Sequence, residues 1–382
     1  MFTDVIIMAG GSGTRLWPAS NSKTPKQFLS IGDDSSFFSA ALDRAFAVIG
    51  DGGTGRVVVV VGLAHIDHVL RACEPLARER KDRVVVIGEP SARNTAPALA
   101  CAATYLRLAH GPGRRALMLT SDHLISPIAA FLADAAAADE LAARGRLVVF
   151  GIRPRGPETG YGYIEAAEGG DSAPQRSFAV ASFREKPDRE TAERFLATGR
   201  FYWNSGMFGF GVDFVLDEFR QNAADVVGPF DALSAPSPDA TERRGGVSVI
   251  TAWSGLAAAY AAARSTSIDY AIAEKCRRAA VVVGSFDWLD IGSWDEYANL
   301  VERAAQERGA EEKQPVFAAA SAGCFVDSDL PVALYGVDDL IVVVRSGADG
   351  GPPAVLVCKR GESQGVRAVV DRIKGAGRID LL

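Results

Sequence analysis

Five apolar runs in the first 150 residues alternate with segments of helical periodicity, and this alternation constrains the fold more than any other feature of the chain. Strands are predicted at Val5–Met8, Val57–Val61, Val84–Ile87, Ala116–Leu119 and Leu147–Phe150. Helices are predicted between them at about Phe37–Ile49, Leu63–Ala77, Thr95–Ala109 and Ile128–Ala143. Such an order predicts an α/β fold, a parallel sheet with helices on both faces. Ligands of such sheets bind at the carboxyl ends of the strands.

The pattern becomes mixed after Gly151. Strands are predicted near Tyr161–Ala166, Phe178–Glu185, Met207–Gly211 and Val281–Phe286, and helices around Ala192–Leu196 and Ile268–Lys275. A polar run from Glu302 to Gln314 indicates the last helix of the large domain, followed by a linker. Short apolar runs and a closing helix at Gln364–Ile373 follow. We therefore expect a large domain over residues 1–308 and a small β domain with a terminal helix over residues 316–382.

Composition and charge narrow the class of partner. Hydrophobic residues make up 48% and charged residues 23% of the 382 positions, as in a soluble globular protein. The net charge of −6 speaks against nucleic acid as a partner. The five cysteines are scattered without C-x-x-C spacing, so we expect neither a disulfide framework nor a zinc site. We find no signal peptide or membrane span, and a cytoplasmic location is expected.

A glycine-rich turn directly follows the first predicted strand. It contains Gly10, Gly11, Ser12, Gly13 and Thr14, and it is followed by the cations Arg15 and Lys26. Glycines allow backbone N–H groups to approach a ligand closely, and cations balance negative charge. The turn therefore suits a polyphosphate, with a solvated glycine turn as the alternative.

Two common glycine motifs do not fit this turn. A Walker loop needs Gly-Lys followed by Ser or Thr, whereas Thr14 and Arg15 follow Gly13 here. The G-x-G-x-x-G spacing of a dinucleotide fold is also missing, because position 16 is Leu and Pro18 would interrupt the helix.

The stretch from Met8 to Leu29 resembles the signature of sugar-phosphate nucleotidyltransferases. Its Leu-Trp-Pro and Pro-Lys-Gln-Phe-Leu portions are similar to those of the bacterial mannose-1-phosphate guanylyltransferases. The resemblance implies a Rossmann-like, GT-A-like nucleotidyltransferase fold, with a mostly parallel mixed sheet flanked by helices and a small C-terminal β unit. It also implies that the loop wraps a nucleoside triphosphate, with Arg15 and Lys26 as the catalytic cations that neutralise its phosphates.

Two aspartates match the metal-binding motifs of that family. Asp122 stands in Thr-Ser-Asp-His and Asp290 in Trp-Leu-Asp-Ile-Gly-Ser-Trp, each after a predicted strand. Mg²⁺ prefers a few carboxylates, with phosphate oxygens and water completing its octahedron. The resemblance assigns Mg²⁺ to this pair, whereas a lone Asp after a strand is otherwise a helix cap or turn former. His123 is left out of the site, because Mg²⁺ prefers oxygen.

A polar segment from Glu89 to Pro97 is the candidate for base recognition. It follows a predicted strand, and Asn94 or Thr95 is expected to cap the next helix. The segment resembles the guanylyltransferase loop that meets the guanine. By that resemblance Glu89, Asn94 and Thr95 are purine contacts.

Three further segments resemble the sugar-phosphate site of the family in their order along the chain: Glu158–Tyr163, Glu185–Pro187 and Trp203–Phe208. Taken singly, each is typical of a solvated strand end or a turn. The resemblance places Gly160 and Tyr161 at the sugar phosphate, Glu185 and Asn204 on sugar hydroxyls and Lys186 on the phosphate. Ser267 is a good helix N-cap, and the resemblance of Ser-Ile-Asp-Tyr adds Asp269 on the sugar side.

The activity implied by the resemblance is transfer of GMP from GTP to α-D-mannose 1-phosphate, giving GDP-mannose and pyrophosphate by direct in-line displacement. The resemblance further implies a homodimer formed through residues beyond Val316. One alternative is the same chemistry on another hexose or heptose 1-phosphate with another nucleotide. Another alternative is a non-catalytic relative that binds a sugar nucleotide, although Arg15, Lys26, Asp122 and Asp290 are all present.

Overall fold

The computed structural model describes residues 1–11, 13–31, 35–168, 176–308, 316–347 and 352–382. It contains two compact units, each assembled from two separate stretches of chain. The sheet unit comprises Met1–Gly10 and Ala41–Leu289, and the loop unit comprises Gly11–Ala40 and Asp290–Leu382. The predicted linker at residues 309–315 lies outside the described residues, as does Ser12 of the glycine turn.

A mixed sheet dominates the sheet unit. In chain order the strands are β1 (Asp4–Met8), β2 (Val57–Gly62), β3 (Val84–Glu89), β4 (Arg115–Thr120), β5 (His123–Ser126), β6 (Leu147–Ile152), β7 (Tyr163–Ala166), β8 (Ser177–Arg184), β9 (Phe201–Gly211), β10 (Thr241–Arg244), β11 (Val247–Ile250), β12 (Ala279–Val283) and β13 (Asp287–Asp290). Eleven of them form one sheet in the order β10-β11-β3-β2-β1-β4-β9-β6-β12-β8-β7. Strands β5 and β13 form a separate pair.

The direction of the strands gathers candidate side chains at one edge. Strands β11, β3, β2, β1 and β4 run parallel, as do β12 and β6, whereas β9 is antiparallel to both β4 and β6. Because β1, β3 and β4 are parallel, Gly10, Glu89 and Asp122 all emerge at the carboxyl edge of this sheet. The predicted α/β fold with a mixed sheet is confirmed.

Helices cover both faces of the sheet. In chain order they are α1 (Phe37–Ile49), α2 (Ile66–Cys73), α3 (Arg78–Lys81), α4 (Thr95–His110), α5 (Ile128–Ala143), α6 (Arg189–Thr198), α7 (Val212–Asn222), α8 (Ala224–Asp231) and α9 (Leu256–Ala262). The consecutive β1 residues Val5, Ile6 and Ile7 are all fully buried. Since successive side chains of a strand point to opposite faces, neither face of β1 is open to solvent.

Local sequence signals set the helix ends. The side chain of Asn94 caps α4 by accepting a hydrogen bond of 2.8 Å from the Thr95 N–H, and Gly111 follows the helix at a φ of 80°. Asp188 caps α6 in the same way through the Thr191 N–H at 2.8 Å, and left-handed Gly199 ends it. These caps satisfy amide groups that a helix end leaves without partners.

The loop unit combines the residues after the glycine turn with the C-terminal part of the chain. Its elements are the 3₁₀ turns Thr14–Leu16 and Lys26–Phe28, helices α10 (Trp294–Arg308) and α11 (Val366–Gly375), and strands β14 (Val316–Ala319), β15 (Phe325–Ser328), β16 (Val332–Tyr335), β17 (Leu340–Arg345) and β18 (Ala354–Lys359). Strands β14 and β16 pair with each other, and β15-β17-β18 form a three-stranded sheet. This is the small β unit expected after Val316.

Two parts of the prediction need correction. The strand predicted at Met207–Gly211 begins earlier, because β9 starts at Phe201 and includes Trp203–Gly206, where Gly206 takes a φ of 71° and the pairing with β6 shifts register. Helices α7, α8 and α9 were also missed between the predicted strands. In the described part of the chain no helix is both long and apolar enough to span a membrane.

Candidate active site

The glycine turn places Lys26 by close packing within the loop unit. Gly13 adopts a left-handed φ of 57°, and a Cβ atom there would collide with the Lys26 side chain. Gly11 also has a positive φ of 99°. Only glycine tolerates both the conformation and the contact at position 13. Arg15, two residues on, lies exposed in the Thr14–Leu16 turn.

An ion pair joins two predicted site residues inside the loop unit. Lys26 Nζ lies 2.9 Å from Asp290 Oδ1, with side-chain exposures of 7% and 22%. A lysine this deeply buried needs a compensating charge, since an unpaired buried ammonium is costly. The pair therefore connects the signature loop, residues 11–29, to the Trp-Leu-Asp motif 264 positions later in the chain.

Arg15 lies beside the turn that follows Asp290. A Cβ on Gly292 would lie 3.4 Å from Arg15 Nη1 and 3.5 Å from Glu296 Oε2. The Gly292 N–H donates to Glu296 Oε2 at 2.6 Å, and the Glu296 N–H donates to Ser293 Oγ at 3.3 Å. This is a capping arrangement at the start of α10. Glu296 is not among the predicted site residues, although the Ser-x-x-Glu spacing at the start of α10 is a signal for it. Burial raises the pKa of Glu296.

Distant residues of the loop unit brace the signature loop. Trp17 Nε1 donates to the Leu381 carbonyl at 2.7 Å, and Trp294 Nε1 donates to the Trp17 carbonyl at 2.9 Å. The Ser30 carbonyl accepts from the Tyr297 hydroxyl at 2.9 Å. These bonds fix the loop through α10 and the segment after α11. No sequence motif predicts these hydrogen bonds.

Asp122 lies in the sheet unit between β4 and β5, with its side chain 35% exposed. The neighbouring His123 is held at Nδ1 by Thr120 Oγ1 at 2.5 Å and by Trp288 Nε1 at 3.1 Å. Its Nε2 lies 3.6 Å from Asp122 Oδ1. The ring is therefore anchored by its neighbours and adjoins the aspartate.

A buried arginine hydrogen-bonds to the backbone of the loop that carries Asp122. Arg44 on α1 donates from Nη2 to the His123 carbonyl at 2.8 Å and is 4% exposed. Burial lowers the pKa of Arg44 to about 10, and the negative charges of Asp43 and Asp122 oppose this effect. Arg44 is not among the predicted site residues, because an arginine within an amphipathic helix belongs to no recognisable motif.

The predicted base-binding residues form the connection between β3 and α4. Glu89 ends β3 and is 9% exposed, and its Oε2 lies 3.5 Å from where a Cβ on Gly10 would stand. Burial raises the pKa of Glu89 to about 7. Asn94 is the cap of α4, whereas the Thr95 hydroxyl accepts from the Ile268 N–H at 3.0 Å. Thr95 thus ties this connection to the segment that precedes Asp269.

The predicted sugar residues form a cluster in the sheet unit. Asn204 Nδ2 donates to Asp269 Oδ1 at 2.8 Å, and Lys186 Nζ lies 3.4 Å from Glu185 Oε1. A Cβ on Gly162 would collide with Glu185 Oε2, so glycine makes room for this carboxylate. Burial, followed by the nearby Asp269 charge, raises the pKa of Glu185. Burial also raises the pKa of Asp269.

Backbone irregularities shape this cluster. Lys186 takes a left-handed φ of 45°, which is uncommon for a residue with a side chain. Asp269 begins a π-helical turn, Asp269–Ala273, of the kind found often at functional sites. Glu274 follows that turn. Burial raises the pKa of its carboxyl, and the Glu185 backbone N–H opposes this rise. Glu274 is not among the predicted site residues.

The remaining predicted residues lie along an aromatic row. Gly160 is exposed, with open space where a Cβ would be. The Tyr161 ring packs 5.2 Å from the rings of both Trp203 and Trp288. Trp288 in turn packs edge-on against His123 at 5.0 Å. The row runs from the sugar cluster to the Asp122 loop.

A glycine turn after β1, aspartates after later strands and a mixed α/β sheet together define a nucleotidyltransferase. The chain belongs to the nucleotidyl transferase family, whose model matches residues 4–307. It is similar to a mannose-1-phosphate guanylyltransferase of Escherichia coli (strain K12), with 35% identity across 98% of this chain and 74% of that protein. It is 36% identical to the xanthan biosynthesis protein XanB of Xanthomonas campestris, covering 98% of this chain and 73% of that one.

A solved structure shares the fold over nearly the whole chain. It comes from Thermus thermophilus and is named as a mannose-1-phosphate geranyltransferase. The TM-score is 0.76 at 28% identity, covering 98% of this chain and 100% of that one. The predicted family is therefore confirmed, and the chain is an enzyme of the nucleotidyltransferase class.

Proposed function

We propose that this enzyme transfers GMP from GTP to α-D-mannose 1-phosphate, forming GDP-mannose and pyrophosphate. The observation that carries the proposal is the Lys26–Asp290 pair packed against Gly13, because it places a fixed cation beside the glycine turn. The names of the relatives support the choice of both substrates. The clustered Glu185, Asn204 and Asp269 supply acceptors and a donor for sugar hydroxyls.

The reaction follows from the groups present. An oxygen of the mannose 1-phosphate attacks the α-phosphorus of GTP, the new phosphorus–oxygen bond forms, and the bond to the β-phosphate breaks as pyrophosphate leaves in line. Negative charge crowds the transition state, and compensating it is the main catalytic task. Lys26 and Arg15 serve this task, and Gly10, Gly11, Ser12, Gly13 and Thr14 wrap the triphosphate. No covalent intermediate is needed, because the acceptor phosphate is already a nucleophile.

Asp122 and Asp290 would hold the divalent cation, proposed to be Mg²⁺. Both offer carboxylate oxygens, the ligands that Mg²⁺ prefers, and both side chains are partly exposed, at 35% and 22%. When bound, the ion supplies positive charge to the phosphate oxygens. Asp290 also pairs with Lys26, and this pair orients the ammonium.

Product identification tests the proposal directly. The purified protein is incubated with each of the four nucleoside triphosphates and a panel of hexose and heptose 1-phosphates, and the products are analysed by mass spectrometry. We expect GDP-mannose as the dominant product. A different sugar nucleotide would replace the substrate assignment, and no product with any pair would support a non-catalytic binding role.

Replacing Glu185 with glutamine is expected to weaken acceptor binding. The amide retains the shape but loses the charged acceptor, so KM for mannose 1-phosphate should rise about tenfold, the scale of a hydrogen bond to a charged group. KM for GTP should stay within about twofold. The measurement is pyrophosphate release under steady-state conditions. The control is Glu190→Gln, an exposed residue on α6; an unchanged acceptor KM in Glu185→Gln would remove Glu185 from the sugar site.

We further propose a homodimer in the cytoplasm. Strand β18 is at the edge of its sheet, and Val355 and Val357 on it are 59% and 56% exposed. Exposed apolar edge strands tend to be covered by a partner. All five cysteines are free thiols, as a reducing compartment requires.

The substitution Val357→Lys is expected to convert a dimer into monomers, because it places a charge in the covered edge. Sedimentation at micromolar concentration distinguishes the two states. The control is Val369→Lys, on an exposed position of α11. A wild-type protein that sediments as a monomer would contradict the dimer.

A further inference from the structure

The imidazole of His123 lies beside the Asp122 carboxylate, and one of its two nitrogens is held by neighbouring side chains. Trp288 Nε1 lies 3.1 Å from His123 Nδ1, and Thr120 Oγ1 lies 2.5 Å from the same nitrogen. The histidine and indole rings meet edge-on, with 5.0 Å between their centroids. His123 is 7% exposed and Trp288 is 6% exposed. Little water can therefore compete for these contacts.

The contact with Trp288 determines which nitrogen of His123 carries hydrogen. An indole N–H can only donate a hydrogen bond, so His123 Nδ1 must accept it. An accepting nitrogen carries no hydrogen, and the Thr120 hydroxyl then donates to the same atom. A neutral imidazole has a single N–H group. The hydrogen of the His123 ring is therefore at Nε2.

The Nε2 atom faces Asp122. It lies 3.6 Å from Asp122 Oδ1, which is too long for a hydrogen bond but close enough for electrostatic attraction. Two atoms that bind one cation at about 2.1 Å lie roughly 3.0–3.4 Å from each other, so this distance is also close to that of two ligands of one ion. The distance alone therefore allows His123 to be a second ligand beside Asp122 or a donor that faces its carboxylate.

The position of the hydrogen decides between these two roles. A metal ligand needs the lone pair of a neutral imidazole nitrogen, and at His123 that lone pair is at Nδ1, directed at Trp288. The backbone of the residue is held as well, because Arg44 Nη2 donates to the His123 carbonyl at 2.8 Å. The ring cannot turn Nδ1 towards Asp122 without losing its contacts with Trp288 and Thr120.

We propose that His123 is a positioning residue for the cation site: Trp288 fixes its Nε2–H tautomer, so that the ring faces the Asp122 carboxylate with a hydrogen and does not bind the cation. The inference rests on the proposed function of Asp122 as a cation ligand. Imidazole nitrogen suits Zn²⁺ and other transition metals, whereas carboxylate oxygen suits Mg²⁺ and Mn²⁺. Keeping the imidazole nitrogen out of the site therefore favours Mg²⁺.

Nitrogen NMR of isotope-labelled histidine side chains tests the tautomer without metal, nucleotide or turnover. The chain has four histidines, and replacing each in turn by glutamine assigns the signals. We expect hydrogen on Nε2 of His123 and none on Nδ1. Trp288→Phe removes the indole donor, so the fraction of His123 with hydrogen on Nδ1 should rise. A wild-type His123 with its hydrogen on Nδ1 would overturn the inference, and this result decides even where Trp288→Phe does not fold.

The dependence on Mn²⁺ tests the positioning role. His123→Asn removes the N–H group that faces Asp122, so the Mn²⁺ concentration for half-maximal pyrophosphate release should rise about tenfold, as for other groups that support a metal ligand. His123→Gln extends an amide N–H to nearly the same place and should stay within about threefold of the wild type. The control is His68→Asn on α2, which should leave the Mn²⁺ dependence unchanged.

Electron paramagnetic resonance of Mn²⁺ bound with GTP, in the absence of acceptor, shows whether nitrogen binds the ion. The wild type should show no coupling between Mn²⁺ and a directly bound nitrogen. Such a coupling, present in the wild type and lost in His123→Gln, would make His123 a ligand and overturn the inference.

Asp122→Asn separates this inference from the proposed cation site. If this variant binds Mn²⁺ like the wild type, Asp122 is not a ligand, and the inference fails together with the cation site. If Asp122→Asn weakens Mn²⁺ binding while His123→Asn leaves the Mn²⁺ dependence unchanged, the cation site stands and the role of His123 is wrong.

Discussion

Substituting Lys26 with alanine is expected to lower kcat/KM for GTP at least ~10²-fold, the scale of removing one preorganised charge-stabilising group. The Lys26 side chain is 7% exposed, its ammonium lies 2.9 Å from Asp290, and its Cβ packs closely on Gly13, so the cation is held beside the glycine turn. Steady-state pyrophosphate release at varied GTP measures the effect. The loss should appear in kcat as well as in KM, because the compensated charge grows in the transition state.

Lys23→Ala is the matched control, since Lys23 is an exposed lysine on the same loop. It should keep kcat/KM within about twofold of the wild type. Circular dichroism and thermal melting establish that Lys26→Ala is folded. Near-normal turnover in a folded Lys26→Ala protein would take Lys26 out of the mechanism.

Substituting Asp290 with asparagine is expected to reduce transfer by a similar factor, at least ~10²-fold. It also removes the carboxylate charge that lies 2.9 Å from the buried Lys26 ammonium. The expected loss of stability is roughly 1–3 kcal/mol, below the cost of breaking a fully buried pair, because Asp290 is 22% exposed. Thermal melting measures the loss of stability, and pyrophosphate release measures the loss of transfer activity.

The double variant Lys26→Met/Asp290→Asn separates the two effects. Removing the ammonium as well leaves no buried charge that has lost the Asp290 carboxylate, so the melting temperature should recover relative to Asp290→Asn alone. Activity should remain lost. Asp287→Asn is the control on the same strand, at a side chain 69% exposed. An active Asp290→Asn protein would contradict the role of Asp290, whatever its melting temperature.

The main sheet could be predicted because most of its strands are short, continuous apolar runs. Helices α1 and α5 begin and end where the apolar periodicity places them, and β1, β2 and β3 coincide with apolar runs, which are rich in valine in β2 and β3. Alternation of strands and helices then fixed the parallel core and the edge that gathers Gly10, Glu89 and Asp122. The antiparallel insertion of β9 between β4 and β6 could not be predicted, because pairing depends on partners far away in the chain.

Site residues that act through the backbone were beyond the reach of motif analysis. Arg44 donates to the His123 carbonyl, and such a contact leaves no signature spacing in the sequence. Glu296 did leave one, as a capping box with Ser293. Motifs mark groups that meet ligands, whereas their supports are visible only once the chain is folded.

The bond from Trp17 to the Leu381 carbonyl spans 364 positions of the chain. During synthesis the glycine turn leaves the ribosome while its brace has not yet been translated. Closing so long a connection carries a large entropic cost and comes late in folding. A nascent chain therefore cannot assemble this loop in a rigid form early, and the proposed triphosphate-binding turn is completed only when nearly all of this sequence has been made.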